Sequence, residues 1–202
     1  MAGFNKIGNK KPPETHQPLS VIICARNELD NLKELIPSLF NQSHKNFEIV
    51  IVNDQSTDGT REYLDGQEPY FQSLKIVHIE NTPNHINRKK YALTLGIKAA
   101  KNEDLVFTDA DCLPASGKWL IKIQAGLKDH DIVLGYSSYQ KLPGFLNYFI
   151  RFETLWTGMQ YMGFAGFGVP YMGVGRNLAY KKSLFLDRSE ERRVGKECRS
   201  RW

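Results

Sequence analysis

An open, mostly parallel α/β sheet with helices on both faces is the fold this sequence predicts, and three observations predict it. Short, unbroken apolar runs recur along the chain, which is the pattern of strands buried on both faces. Segments of helical periodicity separate them, as βαβ units require. The unusual polar clusters fall just after the apolar runs, where open α/β sheets bind their ligands.

The strands come in order as Leu19–Cys24, Phe47–Val52, Leu74–Ile79, Leu105–Thr108 and Ile132–Tyr139. Between the first two, Asp30 can cap a helix from Asn31 to Phe40 whose Leu32, Leu35, Ile36 and Leu39 share a stripe. Ser56 or Thr57 can cap a second helix ending at Leu64. A third opens at Asn87 and runs to Ala100, and a fourth covers Ala115–Leu127. The stretch Phe145–Val174 is apolar and aromatic, but Arg151, Glu153 and its glycines interrupt it. It reads as an amphipathic surface element rather than a membrane span. No internal repeat is visible.

Length and composition suit one globular domain: 202 residues, 41% hydrophobic and 24% charged. The formal charge is +5, but it is concentrated. Residues 188–202 carry six Lys/Arg and three Glu, and without them 21 basic residues face 19 acidic ones. A basic pI made by a tail gives no support to a nucleic-acid partner. Three cysteines, Cys24, Cys112 and Cys198, without metal-type spacing argue against a disulfide framework and for a reducing compartment. Residues 1–17 read as a polar leader, 18–187 as the folded domain, and 188–202 as a disordered or foreign tail, because no apolar periodicity survives after Leu186.

The chemistry-bearing residues lie after the strands. Asp109-Ala-Asp111 follows the fourth. If the chain stays extended there, the two carboxylates point the same way and share one site, where a hard divalent cation such as Mg²⁺ or Mn²⁺ would offset their repulsion. An isolated Asp-X-Asp is more often a solvated turn, and its place after a buried strand is what turns the reading toward function. Asp54 ends the second strand, where its carboxylate can accept from a ligand N–H. Asp58, before Gly59, is balanced between turn chemistry and ligand contact. Arg88-Lys89-Lys90 opens the third helix, where cations oppose the macrodipole unless an anion binds. Arg88 and Lys89 read as a solvated basic face and Lys90 as the phosphate contact. Glycines 158, 163, 166, 168, 173 and 175, interleaved with Phe, Tyr and Met, read as packing or as a sugar or acceptor cleft. The five histidines show no ligand spacing, and neither a dinucleotide fingerprint nor a P-loop is present. A nucleotidyltransferase would want a glycine-rich loop after the first strand, which Cys24–Glu28 lacks.

Together these segments resemble the family 2 glycosyltransferases, which have the GT-A fold. The resemblance rests on Val21–Glu28, Phe47–Thr60, Arg88–Leu93, Phe107–Asp111 and Gly175–Phe185 in this order, and covers about Pro18 to Leu186. It implies an inverting transferase that takes a UDP-sugar or GDP-sugar donor with Mn²⁺ or Mg²⁺ and serves a glycan or lipid-linked acceptor in cell-envelope or polysaccharide biosynthesis. Ala25 and Glu28 would line the nucleotide pocket and Asp54 contact the base. Lys90 would lie near the diphosphate, and Asp109 and Asp111 hold ribose, diphosphate and metal. The family's general base lies in an acidic motif beyond the position of Phe185. The sequence after Leu186 departs from that pattern, so the fold is expected to be incomplete at its C-terminus and this stretch to be inactive, its parent acting at the cytoplasmic face of the cell membrane and the chain alone being soluble. The alternative is a non-catalytic nucleotide-sugar or polysaccharide-binding module on the same scaffold.

Overall fold

A computed structural model describes residues 17–83 and 87–187; the expectations for the leader's first 16 residues and for the tail from Arg188 fall outside these. The strands are β1 (Leu19–Ala25), β2 (Phe47–Asp54), β3 (Leu74–Ile79), β4 (Asp104–Asp109), β5 (Ile132–Leu134) and β6 (Leu178–Lys181). The helices are α1 (Leu29–Phe40), α2 (Thr60–Gln67), α3 (Arg88–Ala99), α4 (Trp119–Leu127) and α5 (Phe145–Gly166).

The sheet order is β3-β2-β1-β4-β6-β5. β1 is central, parallel to β2 from Leu19↔Phe47 and to β4 from Leu19↔Asp104. Alternation along β1 then assigns its faces. Leu19, Val21 and Ile23 join Leu32, Leu35, Ile36 and Leu39 of α1, Leu64 of α2 and Leu120 of α4 in one core. Ile22 points the other way, into a core with Val50 and Ile97, while Val52 packs with Ala92 of α3. Burial of every residue of β2 is the signature of a doubly covered strand. Gly96 is required where α3 crosses this face, because a Cβ there would lie 2.7 Å from Ile22 Cγ2.

Four boundaries depart from the sequence reading. α1 starts at Leu29, so Asp30 lies inside its first turn and is no cap; its leading N–H groups are taken from across the site by Thr60 and Asp58. α2 starts at Thr60 after Gly59 in the left-handed region at φ 90°, because Ser56 and Thr57 are bound instead to Asn53 and Asn27. α4 begins at Trp119, not Ala115, the intervening residues forming turns. β5 ends at Leu134 rather than Tyr139. There Gly135 N–H donates to Asn177 O at 2.8 Å, and the Asn177 side chain lies so close that only a glycine fits at 135.

The strand absent from the sequence reading is β6. It runs antiparallel to both β4 and β5, with Phe107↔Leu178 and Leu134↔Leu178. That pairing returns Gly175–Asn177 to the carboxyl edge of β4. The sheet is therefore mixed at one edge and parallel elsewhere.

Candidate donor and metal site

A cavity of about 390 Å³ opens at the carboxyl ends of β1, β2 and β4, against the N-terminus of α3. That volume is in the range of small-molecule sites. Its floor is Cys24 and Ala25 from β1 and Ala92 from α3, and its polar wall is Glu28, Asp54, Asp109 and Asp111. Arg26, Arg88 and Lys89 supply positive charge around it.

The loops are held by one another. Asn27 has φ 56° and Gln55 φ 55°, so both chain exits turn sharply out of the sheet. Ser56 Oγ accepts from Asn27 N–H at 2.9 Å, and Asn27 Oδ1 accepts from Thr57 N–H at 2.8 Å. Asp58 accepts from Leu29 N–H at 3.2 Å and from the Thr60 hydroxyl at 2.5 Å. These bonds, the Thr60 hydroxyl's first among them, hold the Asp58 carboxyl below the usual aspartate range. Asp58 thus braces the site and is not one of the residues lining it.

Asp54 is different. It is 7% exposed, and its Oδ1 has no hydrogen-bond partner among the described residues. A buried carboxylate oxygen left unpaired is costly, and a donor arriving in the cavity would satisfy it.

Asp109 and Asp111 both line the cavity, as their spacing suggested. Their carboxylates and Cys112 Sγ lie within 4.8 Å of one another. Burial, and after it Asp111, pushes the Cys112 thiol up to about 12. Sulfur is a poor match for a hard cation whatever its protonation, whereas the paired carboxylates of Asp109 and Asp111 have the chemistry that fits Mg²⁺ or Mn²⁺. Lys89 Nζ lies 3.0 Å from Asp109 Oδ1. That hydrogen bond is the main cause of the raised Lys89 pKa.

Of the other residues named from sequence, Ala25 and Glu28 line the cavity and Lys90 does not. Arg88 and Lys89, read as a solvated face, do line it, together with Arg26. Asn87 caps the helix by accepting from Lys90 N–H at 3.2 Å, so the first two residues of α3 are the ones presented at the cavity mouth.

A second cavity of about 250 Å³ lies at the same sheet edge, between the chain leaving β5 and α5. Tyr136, Tyr139, Glu153, Thr157, Tyr161 and Arg176 border it. The Arg176 guanidinium covers the Tyr139 ring at 5.0 Å, and Tyr161 hydroxyl donates to Gly135 O at 3.0 Å. Asn177 ties the region together, accepting from Trp119 Nε1 and donating to Tyr136 O, each at 3.1 Å.

Known proteins share this fold. A mannosyltransferase from Pyrobaculum calidifontis, solved with GDP-Man and Mn²⁺, superposes with a TM-score of 0.61 at 22% identity, over 88% of this chain and 48% of its own. S. aureus TarS residues 1–349 give 0.61 at 21% identity, over 86% and 49%. These likenesses establish a GT-A fold. Among curated sequences, a glycosyltransferase of Haemophilus influenzae is 31% identical over 61% of this chain and 37% of its own length. TuaG of Bacillus subtilis, named for teichuronic acid biosynthesis, is 32% identical over 46% of this chain and 35% of its own. The chain thus spans well under half the length of these relatives. The family model of glycosyl transferase family 2 matches residues 20–187, and the chain belongs to that family.

Proposed function

We propose that this domain binds a UDP-sugar or GDP-sugar together with Mn²⁺ or Mg²⁺, and that the whole protein transfers the sugar with inversion to a glycan or lipid-linked acceptor in cell-envelope or polysaccharide biosynthesis, at the cytoplasmic face of the membrane. The observation that carries the reading is the convergence of Asp54, Asp109, Asp111 and Lys89 on one cavity at the carboxyl edge of the sheet. Solved relatives on this fold were crystallised with GDP-Man and Mn²⁺ or with UDP, and TuaG is named for envelope polymer synthesis.

Each residue then has a task. Asp54 Oδ1 accepts an N–H of the base, and Ala25 leaves room for the ring. Glu28, held by Asn31 at 2.6 Å, closes the nucleotide side. Arg88, Lys89 and the free N–H groups of α3 attract the diphosphate. Asp109 and Asp111 would hold the divalent cation, which when bound would supply positive charge toward a departing diphosphate. The second cavity receives the acceptor, its tyrosine rings and hydroxyls suiting sugar faces.

For the described residues alone we propose donor binding without transfer. Glu28, Asp54, Asp109 and Asp111 all line the donor cavity, and the family resemblance puts the base beyond Phe185. Removing a general base costs about 10²–10⁴ in rate. The test is a radiolabelled-donor assay with membrane extract as acceptor, run beside calorimetric titration of UDP, GDP and ADP. UDP or GDP binding with no transfer is expected. Metal-dependent transfer by this chain would place a base within the chain, and among the described residues Glu153 is a carboxylate bordering the acceptor cavity. Failure of both uracil and guanine nucleotides to bind would end the donor-site reading.

A further inference from the structure

The second cavity holds a cation whose hydrogen-bonding capacity the described protein leaves largely unused. Arg176 sits in the turn Gly175–Asn177, which the antiparallel pairing Phe107↔Leu178 returns to the carboxyl edge of β4. Its neighbour Asn177 fixes that turn. Asn177 accepts from Gly135 N–H at 2.8 Å and from Trp119 Nε1 at 3.1 Å, and donates to Tyr136 O at 3.1 Å. The guanidinium is therefore carried on a braced turn, with one face laid over the Tyr139 ring. The one hydrogen bond it makes among the described residues runs from Nη1 to the Tyr139 hydroxyl at 3.3 Å. Nε is shut off from solvent and has no acceptor. No described carboxylate forms an ion pair with Arg176, although Lys89 and Lys181 each have one.

Arginine offers five N–H donors in a rigid fork that matches a carboxylate or a phosphoryl group. A half-buried guanidinium without a counter-ion is costly to keep, and an arriving anion offsets that cost. Glu153 of α5, the carboxylate in the same lining, is exposed and leaves the guanidinium unpaired. The rest of the wall has the mixture a sugar ring needs: Tyr136, Tyr139 and Tyr161 bring ring faces and Thr157 a hydroxyl. The donor's diphosphate already meets Arg26, Arg88 and Lys89 at the first cavity, which leaves Arg176 for a different anion.

We propose that the second cavity selects an acidic sugar as acceptor, one bearing a carboxylate or a phosphoryl group, and that Arg176 binds the acid. This rests on the acceptor role proposed above for this cavity, and the first test runs without nucleotide or metal so that the donor-site reading can fail on its own. Saturation-transfer NMR on the full chain compares glucuronate and glucose 6-phosphate with glucose. At least one of the two acids should bind about tenfold or more tightly than glucose. Arg176→Met should remove that preference with the far-UV circular dichroism unchanged, and Arg176→Gln, which keeps a polar side chain on the turn, should do the same. Once calorimetry shows UDP bound with Mn²⁺, adding both at saturation should leave the acidic sugar in place. A last arm asks whether the acid belongs to the donor: UDP-glucuronate and UDP-glucose should bind alike in the presence of Mn²⁺. Glucose binding as tightly as both acids, or neither acid binding, overturns the proposal. So does a preference that a folded Arg176 variant retains, displacement of the acidic sugar by UDP, or a preference for UDP-glucuronate that Arg176→Met abolishes.

Discussion

Lys89, in the first turn of α3, places its Nζ 3.0 Å from Oδ1 of Asp109, the last residue of β4. The pair joins the helix that would meet a diphosphate to the carboxylate that would hold a metal. Both side chains are partly solvated, so the contact contributes about 0–1 kcal/mol to stability and Lys89 is free to exchange partners. Replacing Lys89 with Met should leave the thermal midpoint almost unmoved. UDP or GDP affinity, measured by calorimetry with Mn²⁺ present, should fall about tenfold, since a charged hydrogen bond contributes roughly 1.5–3 kcal/mol. A large loss of stability at unchanged affinity would make the pair a structural strut.

Asp54→Asn preserves shape but turns one acceptor oxygen into a donor. Because Asp54 Oδ1 is buried without a partner, a ligand N–H has an unusually receptive acceptor there. Nucleotide affinity should drop about tenfold or more, with the far-UV circular dichroism unchanged. Equal affinity would assign Asp54 to the fold instead.

Asp58 should behave as a brace. Asp58→Ala removes acceptors from Leu29 N–H and Thr60 and should cost about 0.5–1.5 kcal/mol in denaturant unfolding at neutral pH, toward the lower end because the carboxyl is solvated. Its pKa is lowered by folding, so the stabilisation is present above the ordinary value of 3.8 and is lost as pH falls through the folded value. The gap between the two proteins should therefore close on acidification below that point. A gap independent of pH would mean that the hydroxyl of Thr60, not the charge, makes the clamp.

Gly96→Ala tests how tightly α3 is seated. The new methyl would stand 2.7 Å from Ile22 Cγ2 and 3.1 Å from Val52 Cγ2, both in buried central strands. Overpacking of this kind costs about 1–3 kcal/mol, and the displaced helix should also carry Lys89 away from Asp109. Urea unfolding and nucleotide titration of the same variant read both effects.

The parallel half of the sheet was legible because β1, β2 and β4 bury both faces and so write uninterrupted apolar runs. Asp54, Asp109 and Asp111 were legible for the same reason: each closes or follows such a run. What escaped depends on contacts distant in sequence. α1 and α2 begin where Asp58, Thr60, Ser56 and Asn27 exchange hydrogen bonds between two loops, which no local cap signal encodes. β6 is four residues long and exists through pairing on both sides. Lys89 rather than Lys90 lines the cavity, which the identity of the two residues could not distinguish and which depends on how α3 is set against the sheet. The aromatic stretch after Pro143 was legible as amphipathic, but its orientation, polar side inward, became visible only once Asn147, Thr154 and Tyr161 were seen against the domain.

In the proposed function, Asp109 and Asp111 would hold a divalent cation on which binding of the donor's diphosphate depends. Calorimetric titration of UDP and GDP into the full chain, with Mn²⁺ and then with EDTA, tests it most directly. Nucleotide should bind with Mn²⁺, should not bind in EDTA, and should not bind to Asp109→Asn/Asp111→Asn under either condition. Equal affinity with metal and with EDTA would contradict the account.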